Sequence, residues 1–254
     1  MLSAGWRALA DELALWRDAG DTVEFWWRDD DAAGPAPALA RLLALSANAS
    51  VPLALAVVPL GADPGLLAGL AGQVSVLQHG TDHRNRAHAG EKKTEFSGAE
   101  APRAAAARLA AAREQLEAQA GDRFISVLAP PWNRLPLPLV PHLAAAGFRG
   151  LSRYGARSSA EPARGLREVN AHVDVIGWRA GRGFAGEDAS LAVAVKHLAA
   201  KRTGAADPRE ATGWLTHHAV HDEAAWTFLE RLFETTRKIP GVRWRGARDL
   251  FYIS

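Results

Sequence analysis

The chain of 254 residues is predicted to fold as an α/β barrel, and three observations point there. Strand-like and helix-like patterns alternate along almost its whole length, as successive β-α units require. No Pro/Gly/Ser linker divides it, so residues 1–254 are expected to form a single domain. Its 48% hydrophobic content is ample for one large core.

Met1 to Gly20 reads as an amphipathic helix packed on that domain. Trp6, Leu9, Leu13 and Trp16 recur at spacings of three and four, with Arg7, Asp11, Glu12, Arg17 and Asp18 among them. These charges interrupt the apolar core that a secretory signal needs, no small-residue cleavage site is seen, and no run is long and apolar enough for a bilayer span, so a cytoplasmic location is expected. Val23 to Trp27 is a strand that bulky Phe25-Trp26-Trp27 should bury, ending abruptly in three acids. Ala36 to Ala47 is helical, Val51 to Pro59 a buried strand, and Val74 to Leu77 an apolar run. Gly90 to Phe96 lacks an apolar period and is read as a loop, either a lid or substrate contact or simply solvated. Ala101 to Ala120 is an alanine-rich helix that Gly121 ends. Phe124 to Leu128 is apolar, Leu137 to Ala146 suggests a helix and Phe148 to Ser152 a strand. Ala189 to Lys201 and Glu223 to Lys238 are helices, with a strand ending in Trp214-Leu215-Thr216 between them.

Four of the strand ends carry polar chemistry. His79-Gly80-Thr81-Asp82-His83 places two imidazoles four residues apart after an apolar run, where they can converge on one metal ion. Arg28-Asp29-Asp30-Asp31 offers the carboxylates of a mixed site, against the alternative of a solvated or helix-capping cluster. Ala129-Pro130-Pro131-Trp132-Asn133 is a stiff strand exit, and Trp214-Leu215-Thr216-His217-His218 ends in imidazoles. The formal net charge is only +2 and no basic block interleaves with aromatics, which argues against nucleic acid. The absence of cysteine excludes disulfides and thiolate zinc sites.

In their order these segments resemble the motifs of the polysaccharide deacetylase family, the metal-dependent carbohydrate esterases with a NodB-homology domain. The resemblance spans about Val23 to Asp222. Arg28-Asp29-Asp30-Asp31 is similar to its Asp-Asp motif, His79 to His83 to its His-x-x-x-His motif, and Pro130-Pro131-Trp132 to its Arg-Pro-Pro-aromatic motif, with Ala129 where the family has arginine. Asp174 to Trp178 and Leu215-Thr216-His217 are similar to the last two.

The resemblance implies a distorted (β/α) barrel that removes an acetyl or other N-acyl group from an amino sugar or a polysaccharide-like substrate. It implies a divalent metal, zinc being the expected ion, held by Asp31, His79 and His83. Asp30 would be the base that takes a proton from the attacking water, His217 the acid that protonates the leaving amine, and a backbone donor near Trp132 part of the oxyanion site. Residues two apart on a strand share a face, so Arg28 can pair with Asp30 and replace the missing arginine. The shifted register, with Asp29 as base and Asp30 as ligand, remains an alternative. Adjacent His217 and His218 would face opposite sides if both lay on a strand, leaving His218 either a supporting partner or hydrogen-bonded to a loop. Asp174 either orients the catalytic histidine or makes a turn, and Trp132 and Trp178 either stack on sugar rings or belong to the core. His221, His88, His142, His172 and His197 are read as surface residues. Two rival functions stand beside hydrolysis of N-acyl sugars: a non-catalytic carbohydrate- or metal-binding barrel, suggested by Ala129, and a deformylase or cyclic-amide hydrolase using the same metal chemistry.

Overall fold

A computed structural model describes residues 3–70, 72–179 and 181–252. Along these run α1 (Ala4–Asp18), β1 (Val23–Ala32), α2 (Pro37–Ala49), β2 (Leu53–Val57), α3 (Pro64–Ala68), β3 (Val74–Gln78), α4 (Pro102–Ala120), β4 (Phe124–Leu128), α5 (Val140–Leu143), β5 (Gly150–Leu151), β6 (Arg167–Glu168), β7 (Ala171–Asp174), α6 (Glu187–Arg202), β8 (Thr212–Thr216), α7 (Glu223–Thr236), β9 (Val242–Trp244) and α8 (Ala247–Phe251). The strands pair in parallel in the order β6-β5-β4-β3-β2-β1-β8-β7, with β9 on the start of β1. Parallel strands need crossover connections, which is why helices separate most of them.

β6 and β7 are two halves of one extended stretch, and it closes the sheet. Its first half pairs with β5; Ala171 then donates its N–H to Arg153 O and accepts the N–H of Gly155, while the second half pairs with β8. The two ends of the sheet therefore meet, giving the distorted (β/α) barrel predicted from the sequence. Side-chain alternation sorts β1 between two layers. Phe25 and Trp27 join the outer layer with Trp6, Leu9, Leu13 and Trp16 of α1 and Phe228 and Phe233 of α7. Trp26 lies inside with Ala54, Ala56, Leu77, Ile125 and Val127, above Leu250 and Phe251 of α8. Only glycine leaves room for that indole at position 213, where a Cβ would sit 2.5 Å from Trp26 Nε1. No helix among the described residues is long and apolar enough to cross a membrane.

Three sequence expectations need correction. β1 does not stop at Trp27 but runs through all three aspartates to Ala32, because each acid finds a partner that offsets the cost of burying it there. The helix expected over Leu137 to Ala146 shrinks to α5 after a 3₁₀ turn at Leu137–Leu139, since Pro138 and Pro141 lack the N–H that a regular helix needs. Finally, His172 and His197 are not surface residues: both are buried, at 4% and 8% exposure.

Candidate active site

The site is assembled where β1 leaves the barrel interior. Arg28 and Asp30 continue the inward face begun by Trp26, whereas Asp29 falls on the outward face with Trp27. The same alternation would carry Asp31 outward. Instead Asp31 adopts φ 71°, where the register against β2 shifts between Asp29 and Ala32, and this bulge brings it beside the histidines. Two consecutive aspartates can then serve one site.

Asp31 Oδ1 lies 3.1 Å from both His79 Nε2 and His83 Nε2. Burial opposes the charge of Asp31, but hydrogen bonds from His79 and His83, with the charges of His79 and His217, hold its carboxyl well below the usual range. Burial likewise works against protonated His79, yet Asp30 and Asp31 outweigh it and raise that imidazole. The buried His79 ring donates from Nδ1 to the Ala129 carbonyl at 2.9 Å, which aims Nε2 at Asp31. His83 has φ 55° and its ring sits against Trp132, with centroids 4.4 Å apart. One carboxylate oxygen and two imidazole nitrogens on this convergence are a donor set that fits zinc or a similar divalent ion.

Arg28 is fully buried and contacts both oxygens of Asp30, Nε to Oδ1 at 2.9 Å and Nη2 to Oδ2 at 3.0 Å. Asn133 Oδ1 accepts from Nη2 at 2.6 Å, and the Ser152 hydroxyl and carbonyl accept from Nη1 at 2.6 and 2.9 Å. Sequence reasoning missed Asn133 and Ser152. The signal for Asn133 was its place directly after Pro130-Pro131-Trp132; Ser152, after a two-residue strand, had none.

His217 and His218 lie just past the end of β8, and their side chains part company. His217 Nδ1 is buried without a hydrogen-bond partner, 3.9 Å from Asp174, and its ring meets Trp178 edge-on at 4.7 Å. Asp174 accepts the Trp178 indole N–H at 2.7 Å and the Ile176 N–H at 3.0 Å; burial pushes its carboxyl up, the nearby Asp30 charge adds to this, and His217 works against it. His218 Nδ1 bonds Asp29 at 2.5 Å, and Asp29 also accepts from the Thr216 hydroxyl at 2.6 Å and the His218 N–H at 3.0 Å. Burial opposes both charges, but their mutual attraction prevails, so Asp29 is lowered and His218 raised. Asp29 is thereby turned to the outward face and engaged by His218, which leaves Asp30 and Asp31 as the aspartates facing the histidine pair.

A second set of potential ligands, His172, His197 and Glu210, lies between α6 and the start of β8. Here His172 Nδ1 accepts the Gly213 N–H at 3.0 Å, so the neutral ring carries its proton on Nε2 and turns it toward Glu210 at 3.4 Å. That tautomer has no lone pair left for a metal. Glu210 is already occupied by the N–H groups of Arg157 and Asn170.

No protein-family model matches the chain, and no curated relative does. Solved structures do. A Pseudomonas aeruginosa chain described as a probable polysaccharide deacetylase superposes with a TM-score of 0.62 at 15% identity, over 91% of each chain. A family 4 carbohydrate esterase from Streptomyces lividans, solved in complex with acetate, gives 0.53 at 15% identity over 87% of this chain and 90% of that one. A peptidoglycan deacetylase from Bacillus subtilis gives 0.53 at 13% identity over 91% and 90%. The resemblance seen in the motifs thus extends to the whole architecture, and the fold of this chain is that of the polysaccharide deacetylases.

Proposed function

We propose that this chain is a metal-dependent deacetylase that hydrolyses the N-acyl group of an amino sugar or a polysaccharide-like substrate. The observation that carries the reading is the convergence of Asp31, His79 and His83 beside an Arg28-supported Asp30. The fold supports it, since neighbours at this TM-score include a carbohydrate esterase and a peptidoglycan deacetylase.

Asp31, His79 and His83 would hold a divalent ion, zinc being the one this donor set favours, and it would supply Lewis-acid polarisation of the acyl oxygen and acidification of water. The protein does the rest. Asp30 takes the proton from the attacking water, and Arg28, itself seated on Asn133 and Ser152, keeps the carboxylate oriented for that transfer. His217 gives a proton to the departing nitrogen, and Asp174 lies 3.9 Å from its Nδ1. Trp178, 42% exposed and against His217, and half-buried Trp132, against His83, offer apolar ring surface to a sugar.

Of the rival readings, the non-catalytic binder loses its motivation, because Arg28 supplies to Asp30 the guanidinium that Ala129 cannot. The test is elemental analysis of the purified protein followed by amine release from N-acetylated oligosaccharides. Turnover that disappears in Asp30→Asn while the metal stays bound is the expected result. Metal-loaded protein that releases no amine from any N-acetylated saccharide would refute the assignment and return the two rivals, the binder and the deformylase or cyclic-amide hydrolase.

A further inference from the structure

The segment after the histidine pair was expected to be a lid, a substrate contact or a solvated loop, yet its last residues are none of these. Glu95 is fully buried and Phe96 nearly so. The Glu95 carboxylate lies beneath the turn that carries the histidines and accepts from the Thr81 N–H at 2.8 and 3.1 Å, from the His83 N–H at 3.1 Å, from the Thr81 hydroxyl and from Arg108 Nη1 at 2.7 Å. Arg108, on α4, is in turn paired with Glu100 at 2.8 Å. Gly80 permits this close approach. Its φ is 64°, and a Cβ there would fall 2.1 Å from Glu95 Oε2 and 2.6 Å from Pro131 Cγ.

An acid in this place does what no neutral residue of the same shape can. Its two oxygens only accept, and every group aimed at them is a donor, among them the N–H of His83, which sits in the left-handed region with φ 55°. A non-glycine residue keeps that conformation only where its surroundings impose it. The Glu95–His83 hydrogen bond is the contact that ties the His83 backbone to a buried, ion-paired anchor on the body of the barrel.

We infer that Glu95 is a positioning residue for the metal, acting through the backbone of His83 and the Thr81 turn to place the His83 imidazole opposite Asp31. The inference rests on the assignment of Asp31, His79 and His83 as ligands. A glutamine at this position keeps the shape but replaces one acceptor oxygen with an NH₂ that faces other donors, so the turn loosens while the barrel stays intact.

The experiment is calorimetric titration of zinc onto the full chain. Glu95→Gln should weaken zinc binding by about 10- to 100-fold, the usual cost of losing support behind a metal ligand, whereas Glu100→Gln, which touches the same arginine but not the turn, should bind as wild type does. Placed in a His83→Ala background, Glu95→Gln should cost no further affinity, because its effect passes through His83; in a His79→Ala background it should still cost affinity. Thr81→Val, which removes one donor without changing shape, should weaken binding by about two- to tenfold and decides the matter if Glu95→Gln does not fold. Wild-type affinity in both Glu95→Gln and Thr81→Val, or a penalty that simply adds to that of His83→Ala, would overturn the role of Glu95 while leaving the ligand assignment intact. A wild-type protein that takes up no zinc would overturn the ligand assignment and this inference with it.

Discussion

Among the described residues, two clusters hold one carboxylate and two histidines within reach of one another, and they differ in whether the ring nitrogens are left free for a metal. At Asp31, His79 and His83 the Nδ1 of His79 donates to a carbonyl, which leaves Nε2 free to bind, and the second imidazole is presented from a turn at the edge of the barrel. At His172, His197 and Glu210 the Nδ1 of His172 accepts a backbone N–H, the two rings stack 3.6 Å apart with their planes 18° from parallel, and the carboxylate is spent on backbone amides. The donor groups are the same, two imidazoles and a carboxylate. The hydrogen bond made by the ring's other nitrogen decides which can serve as a ligand.

The largest expected difference between the two regions is in catalysis. Replacing His79 or Asp31 with alanine should lower amide hydrolysis by roughly four orders of magnitude or more, since it removes both the polarised carbonyl and the acidified water. Replacing His197 with leucine should leave turnover of the folded protein essentially unchanged. Steady-state rates on an N-acetylated oligosaccharide, normalised to folded protein, separate the two.

Next in size is the division of labour past β8. His217→Ala should slow an amide by about two to four orders of magnitude and an activated ester with a good leaving group far less, because only the amine needs a proton to depart. His218→Ala should show no such selectivity, as its ring is committed to Asp29. If the amide-selective loss appears in His218→Ala instead, the roles along this segment are displaced by one residue.

A smaller effect is expected at Arg28. Its removal leaves Asp30 buried beside unfilled acceptors on Asn133 and Ser152, so Arg28→Ala should cost roughly 3–5 kcal/mol of stability and depress turnover while zinc remains bound. Urea unfolding and metal analysis on the same preparation check both halves.

The smallest effect distinguishes the regions by pH. Burial keeps His197 neutral, with His172 and Lys201 adding to it, and its pKa falls from 6.5 to about 2. Burial lowers His172 as well. The unfolded chain then takes up protons that the native cluster refuses, so this contribution is complete above pH 6.5 and is lost as the pH falls from there toward about 2. Unfolding free energy should therefore decline on acidification more steeply in wild type than in His197→Leu, by an amount on the order of 2 kcal/mol by about pH 4. Parallel slopes would show that the cluster takes up its protons without opening.

Much of the barrel was legible because its strands and helices have strong periods of their own. The alternation of Trp26, Arg28 and Asp30 follows directly from a period of two, and it predicts the Arg28–Asp30 contact that the structure shows. What defeated sequence reading was local and caused by tertiary context. The bulge at Asp31 breaks the very period on which the argument relied. β6 and β7 are two and four residues long and acquire their strand character only by closing the ring. Glu95 and Ser152 make their contacts from positions that no short pattern marks, and His172 and His197 look like any surface histidines until α6 packs against the sheet.

Zinc stoichiometry tests the central contrast most directly. Calorimetric titration of the metal-stripped wild-type chain should give one ion per molecule; the His79→Ala, His83→Ala double variant should give none at the same concentrations, and the His172→Ala, His197→Ala double variant should again give one. Two ions in wild type, or full occupancy in the His79, His83 variant, would contradict the account.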